Sequence, residues 1–111
     1  MKRRLGNKYG AIKVKVNGNT CDSKLEAGHY NKLLQCEKQG EIRDLVFHPR
    51  FDALVKGKKI GVVELDFQFY DNTFKKIRYI DSKGVYTRES KWKHKHLSIQ
   101  EGIEIEIWRK K

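Results

Sequence analysis

Asp81, Ser82 and Lys83 form an acid-x-Lys triplet inside one alternating stretch, and Asp66 lies in the stretch before it, between Glu64 and Tyr70. In an extended strand successive side chains point to opposite faces, so Asp81 and Lys83 project to one side and Ser82 to the other. Pairing of the two strands sets Asp66 beside Asp81. Two adjacent carboxylates repel unless a divalent cation lies between them, and an ammonium alongside can hold an attacking water or a phosphate. The chemistry suggested is metal-dependent phosphodiester hydrolysis. Taken alone, an Asp and a Lys two apart on a strand are most often a solvated surface pair, and Glu26 alone reads as an exposed helix residue. Glu64, two before Asp66, is either a further acid of the site or a surface partner for lysine. The order of helical acid, strand acid, acid-x-Lys and basic helix is what raises the functional reading.

The elements that must position these groups follow from patterning. The stretch from Ala11 to Cys21 alternates and carries Asn17-Gly18, a two-residue hairpin signal. Asp22 or Ser23 then caps a helix that runs to about Lys38, with Gly40 as the stop. Leu25, His29, Leu33 and Cys36 share helical spacing and predict its inner face, broadened by Leu34, with Glu26 near one edge. Strands are expected over Ile42 to Phe47 and Phe51 to Val55, redirected at Pro49 and turned at Lys56 to Lys59. Ile60 to Tyr70 reads as one long strand with Phe67 and Phe69 opposite Asp66 and Gln68. A turn at Asp71-Asn72 leads to a partner strand from Lys75 to Lys83. Arg88 to about Gln100 predicts a second helix, with Trp92, His96 and Ile99 on one face, ended by Gly102. Ile103 to Trp108 alternates as a half-buried strand. The pattern is α/β in the α+β sense: a mixed central sheet flanked by helices, with an N-terminal β-hairpin.

Composition bounds the partners. With 111 residues the chain fits a single domain spanning 1–111. Its formal charge of +11, from 25 Lys plus Arg against 14 Asp plus Glu, predicts attraction to a polyanion, nucleic acid first. No apolar run approaches the ~20 residues of a membrane span, and the N-terminus lacks an apolar signal core. A soluble, intracellular protein with no membrane partner is expected. Cys21 and Cys36 lack zinc-site spacing and are expected as reduced thiols. The four histidines are scattered; His94 and His96, two apart on a helix, face different directions and make a poor shared metal site.

Asp22-Ser-Lys-Leu-Glu-Ala27, Leu65-Asp-Phe67 and Asp81-Ser-Lys-Gly84 together resemble the PD-(D/E)XK nuclease superfamily, and within it a phage-encoded group similar to endonuclease-I-type Holliday junction resolvases and transposon-end nucleases. The resemblance covers most of the chain and implies a restriction-endonuclease-like core. It also implies Glu26, Asp66, Asp81 and Lys83 as catalytic residues, with Mg2+, or Mn2+ in its place, held by Asp66, Asp81, Glu26 and the Ser82 carbonyl. Leu65 stands where the name has proline, and Asp81 is shorter than the Glu of many members. The implied substrate is branched DNA, four-way junctions above all, which favours a homodimer. A phage origin would place the protein in the cytoplasm of a bacterial host, with a role in DNA recombination among the possible processes.

The basic residues divide into two expected DNA-binding groups: Arg88, Lys91, Lys93 and Lys95 beside the cut, and Arg50, Lys56, Lys58 and Lys59 for a second arm. Residues 1–8 and 109–111 read as basic, flexible arms. Two alternatives stand beside the resolvase: an endonuclease less selective for structure, cutting duplex ends or flaps, and a non-catalytic basic DNA-binding module on a nuclease fold.

Overall fold

Asn17 and Gly18 both take positive φ, 51° and 82°, the pair of left-handed residues that lets a two-residue turn follow the twist of its strands. In the computed structural model, which describes residues 13–109, they join β1 (Val14–Val16) to β2 (Asn19–Cys21) as an antiparallel hairpin. The expected start of this hairpin at Ala11 falls outside the described residues. Ser23 caps α1 (Lys24–Lys38), its hydroxyl accepting from the Glu26 N–H at 3.1 Å. Gln39 closes that helix, and Gly40 reverses the chain at φ 81°.

The next four strands form one bent ribbon. β3 (Ile42–Phe47) leads through His48 and Pro49 into β4 (Arg50–Val55). The chain returns through β5 (Lys58–Glu64) and, after Leu65 and Asp66, β6 (Phe67–Asp71). The expected single strand from Ile60 to Tyr70 is therefore two strands in two sheets: β5 pairs only with β4, and β6 pairs with β3. Pro49, which has no N–H to give a ladder, marks the bend on one side. On the other, Leu65 N–H donates to the Pro49 carbonyl at 3.0 Å and His48 N–H to that of Asp66 at 2.9 Å, so both arms turn together.

β7 (Lys76–Ser82) adds antiparallel to β6. α2 (Arg88–Glu101), capped by Thr87 and ended by Gly102 at φ 67°, then carries the chain to β8 (Ile105–Trp108), parallel to β7. The main sheet is thus mixed, in the order β3-β6-β7-β8, and the protein is α+β. One core joins α1 to the sheet through Ala27, Tyr30, Leu33, Phe67, Phe69 and Ile80. The other joins α2 to the bent ribbon through Leu97, Leu65, Ala53 and Val63. Each fully buried large side chain contributes about 1.5–3 kcal/mol.

Both helices present faces that differ from expectation. On α1 Leu33 is buried and Leu34 and Cys36 pack against the core as expected, but the other buried residues are Glu26, Ala27 and Tyr30, while Leu25 and His29 sit at the margin. Tyr30 is accommodated because Asn19 Nδ2 donates to its hydroxyl at 2.9 Å. On α2 the inward residues are His94 and Leu97, and Trp92 and Ile99 are 67% and 74% exposed. His96 faces neither core; its ring nitrogen lies 3.0 Å from the Leu54 carbonyl. Among the described residues no helix is long and apolar enough to cross a membrane.

Candidate active site

Asp66 sits at the bend, between two residues that no solvent reaches. Leu65 anchors in the α2 core and Phe67 in the α1 core. The carboxylate between them accepts a 2.7 Å hydrogen bond from the Ser82 N–H on β7, and Asp66 N–H donates to the Ile80 carbonyl at 3.1 Å. The bend and the acid-x-Lys strand are thereby pinned together.

From one side α1 delivers Glu26, 2% exposed. Its Oε1 accepts from the Asp22 N–H at 3.2 Å, and its Oε2 lies 2.7 Å from His48 Nε2. His48 takes positive φ, 56°, at the bend and stacks on Phe47 with ring centroids 3.8 Å apart. Its ring reaches 3.8 Å from Glu64 and 4.0 Å from Asp66.

From the other side β7 presents Asp81, also 2% exposed. Lys83 Nζ lies 3.3 Å from its Oδ2, as strand alternation requires. α2 places His94 Nε2 2.9 Å from the same oxygen, and Tyr86 Oη stands 2.8 Å from His94 Nδ1. Neither nitrogen is angled to donate well, so Asp81 Oδ2 is buried next to two basic groups without a hydrogen bond. Ser82 Oγ faces the opposite way, 2.6 Å from His29 Nδ1.

The electrostatics separate the two aspartates. Burial, reinforced by the charges of Asp81 and Glu26, pushes Asp66 up to about 8 from an ordinary 3.8. Burial also acts to raise Asp81, but His94 and the charge of Lys83 outweigh it and hold that carboxyl below the usual range. Asp66 therefore keeps a proton at neutral pH, and Asp81 is ionised beside it.

The donor set fits a divalent cation. Asp81 Oδ2 is a buried acceptor lacking a hydrogen bond, and burial beside the charges of Asp81 and Glu26 keeps Asp66 protonated even against the Ser82 N–H. Asp22, Glu26 and His48 also offer ligand atoms within 4.8 Å of one another. Carboxylate and carbonyl oxygens suit Mg2+ and Mn2+.

All four expected catalytic residues converge here. Two histidine neighbours are not among the expected site residues: His48 lies 22 residues from Glu26, and the spacing of His94 and His96 on a helix argues against a shared metal site. The helical interval from His94 to Leu97 was the available sign. The expected DNA contacts are exposed, and the second expected group does not stay together. Arg88, Lys91, Lys93 and Lys95 line α2, where Lys93 pairs with Glu89 at 3.4 Å. Arg50 opens β4 opposite Glu64. Lys56, Lys58 and Lys59 crowd the far end of the β4–β5 arm, about 20 Å along the strand, with Lys59 3.5 Å from Asp52. Cys21 and Cys36 are free, and burial pushes the Cys21 thiol up to about 11. Lys2, Arg3 and Arg4 of the N-terminal arm lie outside the described residues, as do Lys110 and Lys111.

Fold and site define an α+β protein with a buried acidic centre where its two cores meet. The chain belongs to the family described as protein of unknown function (DUF1064), whose model matches residues 6–108. No curated protein and no solved structure matches it.

Proposed function

We propose that this protein is a divalent-metal-dependent endodeoxyribonuclease acting on branched DNA, with four-way junctions as the leading substrate and a homodimer as the working form. The observation that carries this reading is the convergence of Glu26, Asp66 and Asp81 with Lys83 on a chain of net charge +11. A purely structural role gives little reason to gather three carboxyls, two of them buried, since carboxylates side by side repel. The choice of a branched substrate, and with it a phage recombination role, rests on the resemblance of the three motifs to junction resolvases.

Asp66, Asp81 and Glu26, with the Ser82 carbonyl, would hold Mg2+ or Mn2+. Bound there, the ion would neutralise phosphate charge, lower the pKa of a water and steady the leaving oxygen. The residues themselves have distinct tasks. Asp66 releases its proton as the site loads. Ser82 N–H fixes the direction of the Asp66 carboxylate, and His48 fixes that of Glu26. Lys83 orients the attacking water or meets charge developing on the phosphate. His94, backed by Tyr86, keeps Asp81 ionised.

The test is incubation of labelled four-way junction, flap, duplex and single strand in Mg2+ and in EDTA. Symmetric nicks near the branch, dependent on Mg2+, are expected. One feature favours the second reading, a binding module on a nuclease fold: His48, His94 and Lys83 already lie against the carboxyls. Tight binding with no nicking in Mg2+ or Mn2+ would establish that reading instead.

A further inference from the structure

Gly28 stands in the middle of α1, exposed, and a Cβ placed on it would meet nothing within 4 Å. Glycine weakens a helix interior, and neither close packing nor a positive φ calls for it here. What it does is leave open a cleft of about 650 Å³ between α1 and β8. Leu25, Ile107 and the Trp108 indole supply its apolar lining, and Lys24, Lys32 and Arg109 are its exposed cations. Among the described residues no carboxylate lines it. His29, also in the lining, lies edge-on to Trp108 with centroids 5.3 Å apart and touches Ser82 at 2.6 Å. Ser82 is the residue between Asp81 and Lys83, so the cleft adjoins the acidic site through the sheet.

An aromatic, apolar lining with three cations and no acid matches a ligand that is flat on one part and anionic on another. A nucleotide is such a ligand, its base against Trp108 and Leu25 and its phosphate near Lys24, Lys32 and Arg109. Bases stacked within a duplex have no free face to offer. We propose that the α1–β8 cleft binds an unpaired nucleotide of the DNA strand that enters the acidic site. The inference rests on the reading of nucleic acid as partner.

The experiment is fluorescence anisotropy in EDTA with the full chain, Gly28→Leu and Lys32→Ala, using labelled oligo(dT) and linear duplex. Leucine is a stronger helix former than glycine and its side chain fills the cleft, so Gly28→Leu is expected to fold. Both variants should weaken oligo(dT) binding roughly tenfold or more, while duplex affinity changes by less than about twofold for Gly28→Leu. Competition by dTMP would show that a free nucleotide suffices; its failure would tie the site to a continuous strand, and either result upholds it. Unchanged oligo(dT) affinity in Gly28→Leu, or equal losses on oligo(dT) and duplex, would overturn it. EDTA keeps the result independent of cleavage: a protein that binds in this way and nicks nothing retains the cleft and loses only the nuclease assignment.

Discussion

The Ser82 N–H donates to Asp66 Oδ2 across 2.7 Å, joining the bend between two sheets to the strand that carries Asp81 and Lys83. The bond uses a backbone donor, so no substitution at Ser82 other than proline removes the N–H that makes it. It leaves the Ser82 hydroxyl to His29 on the other face of the strand.

Asp81→Asn and Lys83→Ala should each reduce junction nicking at least a hundredfold, with folding retained. Circular dichroism and junction binding in EDTA check the fold, and nicking in Mg2+ checks the chemistry. Full cleavage by both variants would remove the site assignment.

Asp66 sets a pH window of its own. Its folded value of about 8 lies above the ordinary 3.8, so the folded state binds the proton more tightly. The stability this contributes is complete below pH 4 and is lost as pH rises through about 8. In EDTA the Tm should fall across that window, and Asp66→Asn should flatten the fall. Mg2+ should raise the Tm of the parent protein at pH 8 and have little effect on the variant.

Arg78 bridges Asp71 at 3.0 Å and grips Glu106 with two nitrogens at 2.6 and 2.7 Å. Burial works against the charge on Asp71, but the Phe74 N–H, Arg78 and the Thr73 N–H outweigh it and lower its pKa; Arg78 lowers that of Glu106. Both acids stabilise the fold above ordinary carboxylate values and lose that contribution as pH drops through their depressed ones. Arg78→Met should cost about 3 kcal/mol at neutral pH and much less near pH 2, as read by urea unfolding.

The two faces of α2 should answer differently to truncation. Leu97, with no exposed surface, should cost about 2–5 kcal/mol as Leu97→Ala. Trp92→Ala should stay within about 0.5 kcal/mol despite the larger loss of volume, because that side chain stands mostly in solvent. Chemical denaturation of both variants distinguishes this face from the one that apolar spacing suggests.

That contrast shows what sequence can carry. The Asn17-Gly18 turn, the Ser23 cap and the Gly102 stop are local chemistry and were legible. So was the face shared by Asp81 and Lys83, since alternation is intrinsic to a strand. Trp92, His96 and Ile99 misled because helical spacing identifies a stripe and not what covers it. The change of sheet at Leu65 and Asp66 was hidden in a stretch that alternates through the bend without a turn signal, where the bend comes from bonding to Pro49 and His48, 16 and 18 residues away. His48 itself was invisible for the same reason: only tertiary structure brings it to Glu26.

Leu65 and Phe67 fasten Asp66 to two different cores, one on each side of the acid. A partly folded chain with either layer open has lost one of the two anchors that aim this carboxyl at Asp81. The assembled acidic centre is thus a property of the completed molecule, and a chain caught halfway through folding, or clipped in either layer, would carry the same residues without their arrangement.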